Sequence, residues 1–142
     1  MYLYRLRIEN YRAIRRATVS FDDGTALIGE NDCGISSVLD ALEMALGQED
    51  EPREAPPYLF HHVPGSTEPN GPIQLQLRFR EKRPGEWGSG IFTAFSGILP
   101  DSNDRKRELW YEIRIKPVHG GADKPEIRLR SPGRKAKSSD PD

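Results

Sequence analysis

The segment ALIGENDCGISSVLDAL, residues 26–42, holds the residues whose types and spacing point to chemistry. Gly29 and Gly34 are separated by four residues, and Ser36 follows where a magnesium ligand would stand. In a phosphate-binding loop such glycines let backbone N–H groups point at phosphate oxygens, and the next helix adds its positive end. A lysine normally precedes the serine, but this chain has Ile35 there. The spacing predicts either a nucleotide site without its mobile charge or a glycine-containing turn without a ligand.

The elements on either side of this loop favour the nucleotide site. TALI, Thr25–Ile28, predicts a short strand that ends at Gly29, and SSVLDALEMALG then changes to a helical period. Gly47 is a suitable C-terminal stop for that helix. A strand before the loop and a helix after it are the context that a phosphate-binding loop requires. One stripe of the predicted helix consists of Val38, Leu42 and Ala45, with Leu39 and Leu46 beside it.

Alternating hydrophobicity predicts five more strands and an antiparallel meander. They cover Tyr2–Glu9, Ala17–Phe21, Ile73–Glu81, Leu109–Lys116 and Glu126–Arg130. In the first strand the alternation places Tyr2, Tyr4, Leu6 and Ile8 on one face, and Leu3, Arg5, Arg7 and Glu9 on the other. In the third it directs Ile73, Leu75, Leu77 and Phe79 inward. Trp87 and Trp110 are expected to be packing residues rather than base-stacking platforms.

With these motifs in place, the first 47 residues resemble a known family. LRIENYRAIRRATVSFDDGTALIGENDCGISSVLDAL is similar to the N-terminus of SMC/RecF-type ATPases of the ABC class, and most of all to the overcoming-lysogenisation-defect (OLD) family of ATP-dependent endonucleases. The residues that match are Asn10, Tyr11, Arg12, Gly29, Glu30, Asn31, Gly34, Ser36, Ser37, Leu39, Asp40, Ala41 and Leu42. The resemblance implies an α/β fold, namely part of a P-loop ABC-type ATPase head with an antiparallel-rich sheet and a strand–P-loop–helix unit.

The resemblance also implies roles for individual residues. Backbone groups from Gly29 to Ser37 would surround the β-phosphate of ATP, Ser36 would coordinate Mg²⁺, and Arg12 would lie near the phosphates. The implied nucleotide-binding residues are Arg12, Gly29, Glu30, Asn31, Asp32, Cys33, Gly34, Ile35, Ser36 and Ser37. For the family, the implied activities are ATP hydrolysis and DNA cleavage in DNA repair or phage defence.

Two departures from the family pattern weaken the expected activity. Ile35 removes a charge whose loss typically costs about 10²–10³ in rate. The chain also contains no apolar strand ending in Asp-Glu, no ABC signature motif and no nuclease domain. We therefore expect no ATP hydrolysis by this chain alone, and possible loss of ATP and Mg²⁺ binding. The alternative function is a nucleotide-independent interaction module that pairs with an intact ATPase.

Composition places limits on partners and location. The net charge is −1, but residues 1–60 carry 6 basic and 11 acidic side chains, whereas residues 61–142 carry 15 and 11. The basic half is a weak indication of nucleic-acid contact. A single cysteine and a charged N-terminus favour a cytoplasmic protein without a membrane segment. The adjacent residues His61 and His62 cannot easily converge on one metal with the distant His119, which makes a zinc site improbable. We expect residues 1–130 to form the head portion, 131–142 a disordered tail, and partners to include a second copy, an intact ATPase or nuclease, and DNA through a larger assembly.

Overall fold

An antiparallel sheet of five strands organises the chain. The computed structural model describes residues 1–28, 34–47, 57–95, 97–99, 105–118, 121–122 and 125–132. The strands of the sheet are β1 (Tyr2–Tyr11), β2 (Ile14–Ser20), β3 (Ile73–Arg80), β4 (Glu108–Ile115) and β7 (Glu126–Arg130), in the order β2-β1-β3-β4-β7. All four pairings are antiparallel, which confirms the predicted arrangement. The two-residue strands β5 (Pro117–Val118) and β6 (Gly121–Ala122) form a separate ribbon.

Three helical segments accompany the strands. Helix α1 (Ile35–Leu46) follows the loop segment, a 3₁₀ turn covers Pro57–Leu59, and α2 (Ser89–Ala94) lies between β3 and β4. The predicted helix is thus confirmed, but α2 was not predicted from its polar, glycine-rich surroundings. The predicted tail lies outside the described residues except for Ser131 and Pro132.

A β-bulge near the start of β1 changes the predicted side-chain alternation. The register with β3 shifts between Leu3 and Arg5, so that Tyr4 is an extra residue on β1. A bulge of this kind moves all residues on one side of it to the opposite face. Leu3 therefore lies opposite Phe79 and packs on the core, while Tyr2 lies opposite Arg80. The prediction that Tyr2 and Tyr4 share a face with Leu6 was wrong for this reason.

The strand predicted at Thr25–Ile28 is absent. These residues have no strand assignment, and Ile28 is 92% exposed. A strand needs a neighbour to pair its N–H and C=O groups, and β2 and β7 are the edges of the sheet that the described residues build. The segment pairs with none of the five strands, and the predicted strand–P-loop–helix unit is not established.

The main core lies between one face of the sheet and α1. Each Leu or Ile that is fully buried contributes about 1.5–3 kcal/mol of transfer free energy. The helix contributes small side chains to this contact, which lets it approach β1 closely. Leu39 and Leu46 face solvent, with more than half of each side chain exposed. The buried core residues are Leu6, Ile8, Tyr11, Ile14, Val38, Ala41, Ala45, Phe60, Ile73, Leu75, Leu77, Ile113 and Ile115.

A second cluster forms around a buried ion pair at the end of β3. Trp87, Leu99 and Leu109 are its buried apolar members, so the prediction of Trp87 as a packing residue is confirmed. Beside them, Glu81 is fully buried and its Oε1 accepts hydrogen bonds from Arg107 Nη2 at 2.9 Å and from the Trp87 backbone N–H at 2.8 Å. Burial alone would raise the pKa of Glu81, but the hydrogen bonds from the Arg107 side chain and from the backbone outweigh it and keep the pKa below its usual value.

Candidate nucleotide site

The N-terminus of α1 presents backbone N–H groups without a side-chain cap. Gly34 precedes the helix with φ 96°, a left-handed conformation that glycine adopts without steric cost. Its carbonyl accepts the N–H of Val38 at 3.0 Å, which starts the helical hydrogen bonding. No acidic side chain lies in the first turn. The N–H groups of the first turn and the positive end of the helix dipole are consequently suited to an anion.

The three side chains of this first turn differ in exposure. Ser36 is exposed, Ser37 is buried, and Ile35 is half-buried without belonging to the residues that form or pack on the main core. A hydroxyl oxygen is a hard ligand of the type that Mg²⁺ prefers. The exposed hydroxyl of Ser36 therefore suits the predicted metal-binding role, while position 35 supplies no charge.

The structure places Arg12 against the same helix. Its Nη1 forms an ion pair with Asp40 Oδ2, in the second turn of α1, and its guanidinium lies 5.7 Å from the ring centroid of Tyr11. Asp40 is four residues after Ser36, which corresponds to about 6 Å along a helix. A Cβ on Gly34 would lie 3.5 Å from Cγ1 of Ile14, so the start of α1 adjoins the β1–β2 turn that carries Arg12. Arg12, Gly34 and Ser36 thus belong to one neighbourhood.

The β1–β2 turn is held in an unusual backbone conformation. Asn10 and Arg12 both have positive φ, 55° and 49°, which non-glycine residues rarely adopt. Residues of segment 57–72 hold the turn in place. The N–H of Arg12 donates to the Leu59 carbonyl at 2.7 Å, and Nδ1 of His61 lies 2.8 Å from the Arg12 carbonyl oxygen. Positive-φ residues persist where surrounding contacts over-determine them, and they cluster at functional sites.

Asn10 is the second anchor of this turn. Its Nδ2 donates to the Pro72 carbonyl at 3.1 Å, and its Oδ1 accepts from Asn70 Nδ2 at 3.1 Å. The Asn10 carbonyl accepts the N–H of His61 at 3.0 Å. The contacts of Asn10 with residues of segment 57–72 therefore help to fix the turn that carries Arg12. The resemblance alone did not indicate these contacts.

An open cleft lies beside Arg12. It has a volume of about 550 Å³ and is lined by Arg12, Ala13, Tyr58, Phe60, His61 and His62. Tyr58 is 70% exposed, so an aromatic face is accessible there. Arg12 contributes both to the wall of this open cleft and to the contact with α1.

The predicted site residues are thus described only in part. Gly29, Glu30, Asn31, Asp32 and Cys33 lie outside the described residues, whereas Arg12, Gly34, Ile35, Ser36 and Ser37 lie inside them and share one neighbourhood. Sequence reasoning missed that Asp40 pairs with Arg12 and that His61 supports its backbone. The position of Asp40 on the predicted helix did not indicate this ion pair, because Arg12 and Asp40 are 28 positions apart in the sequence.

The described part of the chain offers no competing metal site. It contains no group of three or more His, Cys, Asp or Glu side chains that could hold a metal ion. Among the same residues, no helix is long and apolar enough to cross a membrane.

Comparisons with known proteins show similarities of sequence and of overall fold. A relative in Escherichia coli K12, the uncharacterized protein YbjD, is 36% identical over 125 residues, which are 86% of this chain and 22% of that protein. The chromosome partition protein Smc of Halobacteriovorax marinus is 41% identical over 51 residues, or 34% of this chain and 4% of Smc. The chain spans about a fifth of the length of the first relative.

A solved structure from work on the ATP-driven dimerization and DNA-stimulated activation of SMC ATPases has the same fold. It superposes with a TM-score of 0.57 at 19% identity and covers 96% of this chain and 73% of that one. The SMC part of the predicted resemblance is confirmed at the level of fold, while the finer OLD assignment stays a prediction. The sequence profile of the family described as a protein of unknown function, DUF2813, matches residues 1–120. The chain belongs to the DUF2813 family.

Proposed function

We propose that this chain is the N-terminal, nucleotide-binding part of an SMC-like ATPase head. The observation that carries the proposal is the uncapped N-terminus of α1, where Gly34 and Ser36 lie beside the positive-φ turn of Arg12. Helix N-termini after a glycine bind phosphate through backbone N–H groups and the helix dipole. The similarity of fold to an SMC ATPase structure supports the same conclusion independently.

In the proposed complex each residue has a separate task. The N–H groups of Ile35, Ser36 and Ser37 bind phosphate oxygens, and the Ser36 hydroxyl would hold Mg²⁺, which neutralises phosphate charge. Arg12 supplies the positive charge that position 35 lacks. Its side chain is 37% exposed and its partner Asp40 is 36% exposed, so the pair is worth little in water and exchanges readily for a phosphate. The cleft beside Arg12 receives the nucleoside.

In our proposal this chain supplies only part of the catalytic site of an ATPase head. Hydrolysis needs a group that positions the attacking water, and we expect that group to come from other parts of a larger protein or from a partner. The DNA-related activity of an OLD-type endonuclease, in DNA repair or phage defence, remains a prediction from the resemblance of residues 1–47. A cytoplasmic location is likewise a prediction.

We expect the exposed apolar side of α1 to mediate association with a second copy or with an intact ATPase. Leu39 and Leu46 are 56% and 54% exposed and lie two turns apart on one side of the helix. Sedimentation velocity should show concentration-dependent self-association of the chain, and Leu39→Glu/Leu46→Glu should abolish it. The matched pair Val63→Glu/Val118→Glu, at 49% and 47% exposure, should leave it unchanged. A monomer at every concentration would contradict this expectation.

Calorimetric titration with ATP tests the proposed function. The chain should bind ATP saturably in the presence of Mg²⁺ and more weakly without it. Ser36→Ala should remove most of the difference that Mg²⁺ makes, because the hydroxyl is the proposed metal ligand. Ser20→Ala, an exposed serine on β2, is the matched control and should retain the full Mg²⁺ effect.

Absence of binding at millimolar Mg-ATP would favour a second function, a nucleotide-independent interaction module that pairs with an intact ATPase. The specific observation behind this alternative is Ile35 itself, an apolar side chain at the position that normally carries the phosphate-binding charge.

A further inference from the structure

His61 is held in place by hydrogen bonds of its backbone and of its ring. Its N–H donates to the Asn10 carbonyl at 3.0 Å, and its own carbonyl accepts the N–H of Asn70 at 2.8 Å. Nδ1 of its ring lies 2.8 Å from the Arg12 carbonyl oxygen. Because a carbonyl oxygen only accepts hydrogen bonds, Nδ1 carries the proton and donates the hydrogen bond. His61 thus connects segment 57–72 to the backbone of Arg12.

The backbone conformation of Arg12 needs such support. Its φ is 49°, in the left-handed region that residues with a Cβ rarely adopt. Such a conformation persists where the surrounding contacts hold it. The N–H of Arg12 donates to the Leu59 carbonyl at 2.7 Å, and the Arg12 carbonyl accepts from His61. The hydrogen bond from His61 is the one that comes from a side chain, so a substitution can remove it selectively.

The guanidinium of Arg12 lies where this backbone directs it. Its Nη1 pairs with Asp40 Oδ2, and its Cζ lies 5.7 Å from the ring centroid of Tyr11. Its Nε is buried and has no hydrogen-bond partner in the described part of the chain. A buried N–H without a partner is unfavourable, so hydrogen bonding alone does not account for this position. A change of φ toward the usual negative values would turn the Cα–Cβ bond and redirect the side chain relative to α1.

The hydrogen bond between His61 and Arg12 lies next to the main core. Tyr11 precedes Arg12, Phe60 precedes His61, and Tyr11 and Phe60 form a β-bridge. Both of these aromatic side chains are buried in the main core. Removal of the His61 ring should therefore leave segment 57–72 attached to the turn, because the two aromatic side chains stay packed. The expected consequence is a displaced Arg12 in a folded chain.

We propose that His61 is a positioning residue of the nucleotide site and acts through Arg12, whose backbone it holds at positive φ. This role rests on the proposed function, in which Arg12 supplies positive charge to the phosphates. His61 also lines the cleft beside Arg12, so a direct contact with the nucleotide is the alternative role. The two roles differ in whether replacement of His61 still matters once the Arg12 guanidinium is gone.

A double-mutant cycle, measured by calorimetric titration with Mg-ATP, separates these roles. His61→Leu should weaken binding about tenfold, because it removes the hydrogen bond that holds Arg12. In the Arg12→Gln background the same replacement should change affinity by less than about twofold, since the guanidinium that His61 positions is already absent. Circular dichroism confirms that each variant folds.

Two amide variants test the position of the donor. The amide nitrogen of asparagine lies as many bonds from Cβ as Nδ1 of histidine does, whereas that of glutamine lies one bond further. His61→Asn should therefore restore the hydrogen bond to the Arg12 carbonyl and keep affinity within about threefold of the unaltered chain, while His61→Gln should bind as weakly as His61→Leu. Ser66→Ala is the control, because the Ser66 hydroxyl accepts the Glu68 N–H at 3.1 Å within the same segment, and its affinity should not change.

The Arg12 side chain gives a signal that needs no nucleotide. Because its Nε is buried, the Nε–H proton should exchange slowly with water and be visible by ¹⁵N NMR of the ligand-free chain. Its resonance should have the same position in the unaltered chain and in His61→Asn, and should shift or disappear in His61→Leu and His61→Gln. If Arg12→Gln binds Mg-ATP too weakly to measure, this signal and the comparison of the two amide variants decide the outcome.

Three results would overturn the inference while leaving the proposed function intact. They are unchanged Mg-ATP affinity of His61→Leu, equal weakening by His61→Leu in the two backgrounds, and no advantage of His61→Asn over His61→Gln. Equal weakening would identify His61 as a direct contact of the nucleotide. Absence of Mg-ATP binding by the unaltered chain would instead contradict the proposed function, and the Arg12 Nε–H signal would then decide whether His61 positions the guanidinium.

Discussion

Arg107→Leu should lower the free energy of unfolding by about 3–5 kcal/mol, the usual cost of removing one partner of a buried ion pair. Arg107 is 4% exposed and Glu81 is fully buried, so the carboxylate would lose its counter-charge in an environment that water does not reach. The guanidinium also donates to Glu81 through Nε at 3.1 Å and to the Trp87 carbonyl at 2.8 Å. Both acceptors would be left without that donor. Urea denaturation measures the change.

Arg105→Leu is the matched control for this prediction. Arg105 lies two residues away in the same segment and is exposed. Its replacement should change the free energy of unfolding by about 0.5 kcal/mol or less, as is usual for surface substitutions. If Arg107→Leu lowered the free energy of unfolding no more than Arg105→Leu does, the Glu81–Arg107 ion pair would not be what stabilises the segment between β3 and β4.

Ile35→Lys should strengthen Mg-ATP binding by about 1–3 kcal/mol, or roughly 5- to 150-fold, because it adds a charge-assisted hydrogen bond to phosphate. The substitution is compatible with the fold, since Ile35 is only half-buried and lies outside the main core. A cation at the N-terminus of a helix costs about 0.3–1 kcal/mol in stability, which the folded state can absorb. The gain should be larger for ATP than for AMP, because the lysine reaches the β- and γ-phosphates.

Val118→Lys controls for the added charge. Val118 is exposed on β5, outside α1, so a lysine there should leave nucleotide affinity nearly unchanged. Calorimetric titration of both variants measures the difference. If Ile35→Lys unfolds the protein, position 35 is part of the packing and the loop is not a phosphate cradle. If it folds without binding nucleotide, the interaction module becomes the better account.

The strands of the sheet were predictable from local patterns, but the face of the sheet on which Tyr2 and Tyr4 lie was not. The strict alternation of β3 gives its buried residues directly, and Ile73, Leu75 and Leu77 are all buried as predicted. In β1 the same rule fails for Tyr2 and Tyr4, because a bulge adds a residue without leaving a mark in the hydrophobic pattern. The face assignment of these tyrosines therefore required the register with β3.

Contacts between residues far apart in the sequence account for the rest of what could not be predicted. The partners in the Glu81–Arg107 pair are 26 residues apart and those in the Arg12–Asp40 pair are 28 apart. Each of these residues is typical of an exposed surface when considered alone. The predicted strand at Thr25–Ile28 failed for a related reason: an apolar run becomes a strand only when it pairs with a partner, and none of the five strands of the sheet pairs with it.

A titration of the ¹⁵N-labelled chain with Mg-ATP, followed by amide NMR, tests the central claim most directly because it locates the ligand. The account predicts saturable shifts for the amides of Ile35, Ser36 and Ser37 and for Arg12, with little change at Arg114 and Arg128, which lie on the face of the sheet opposite α1. Saturable shifts confined to residues away from the start of α1, or no shifts at millimolar Mg-ATP, would contradict it.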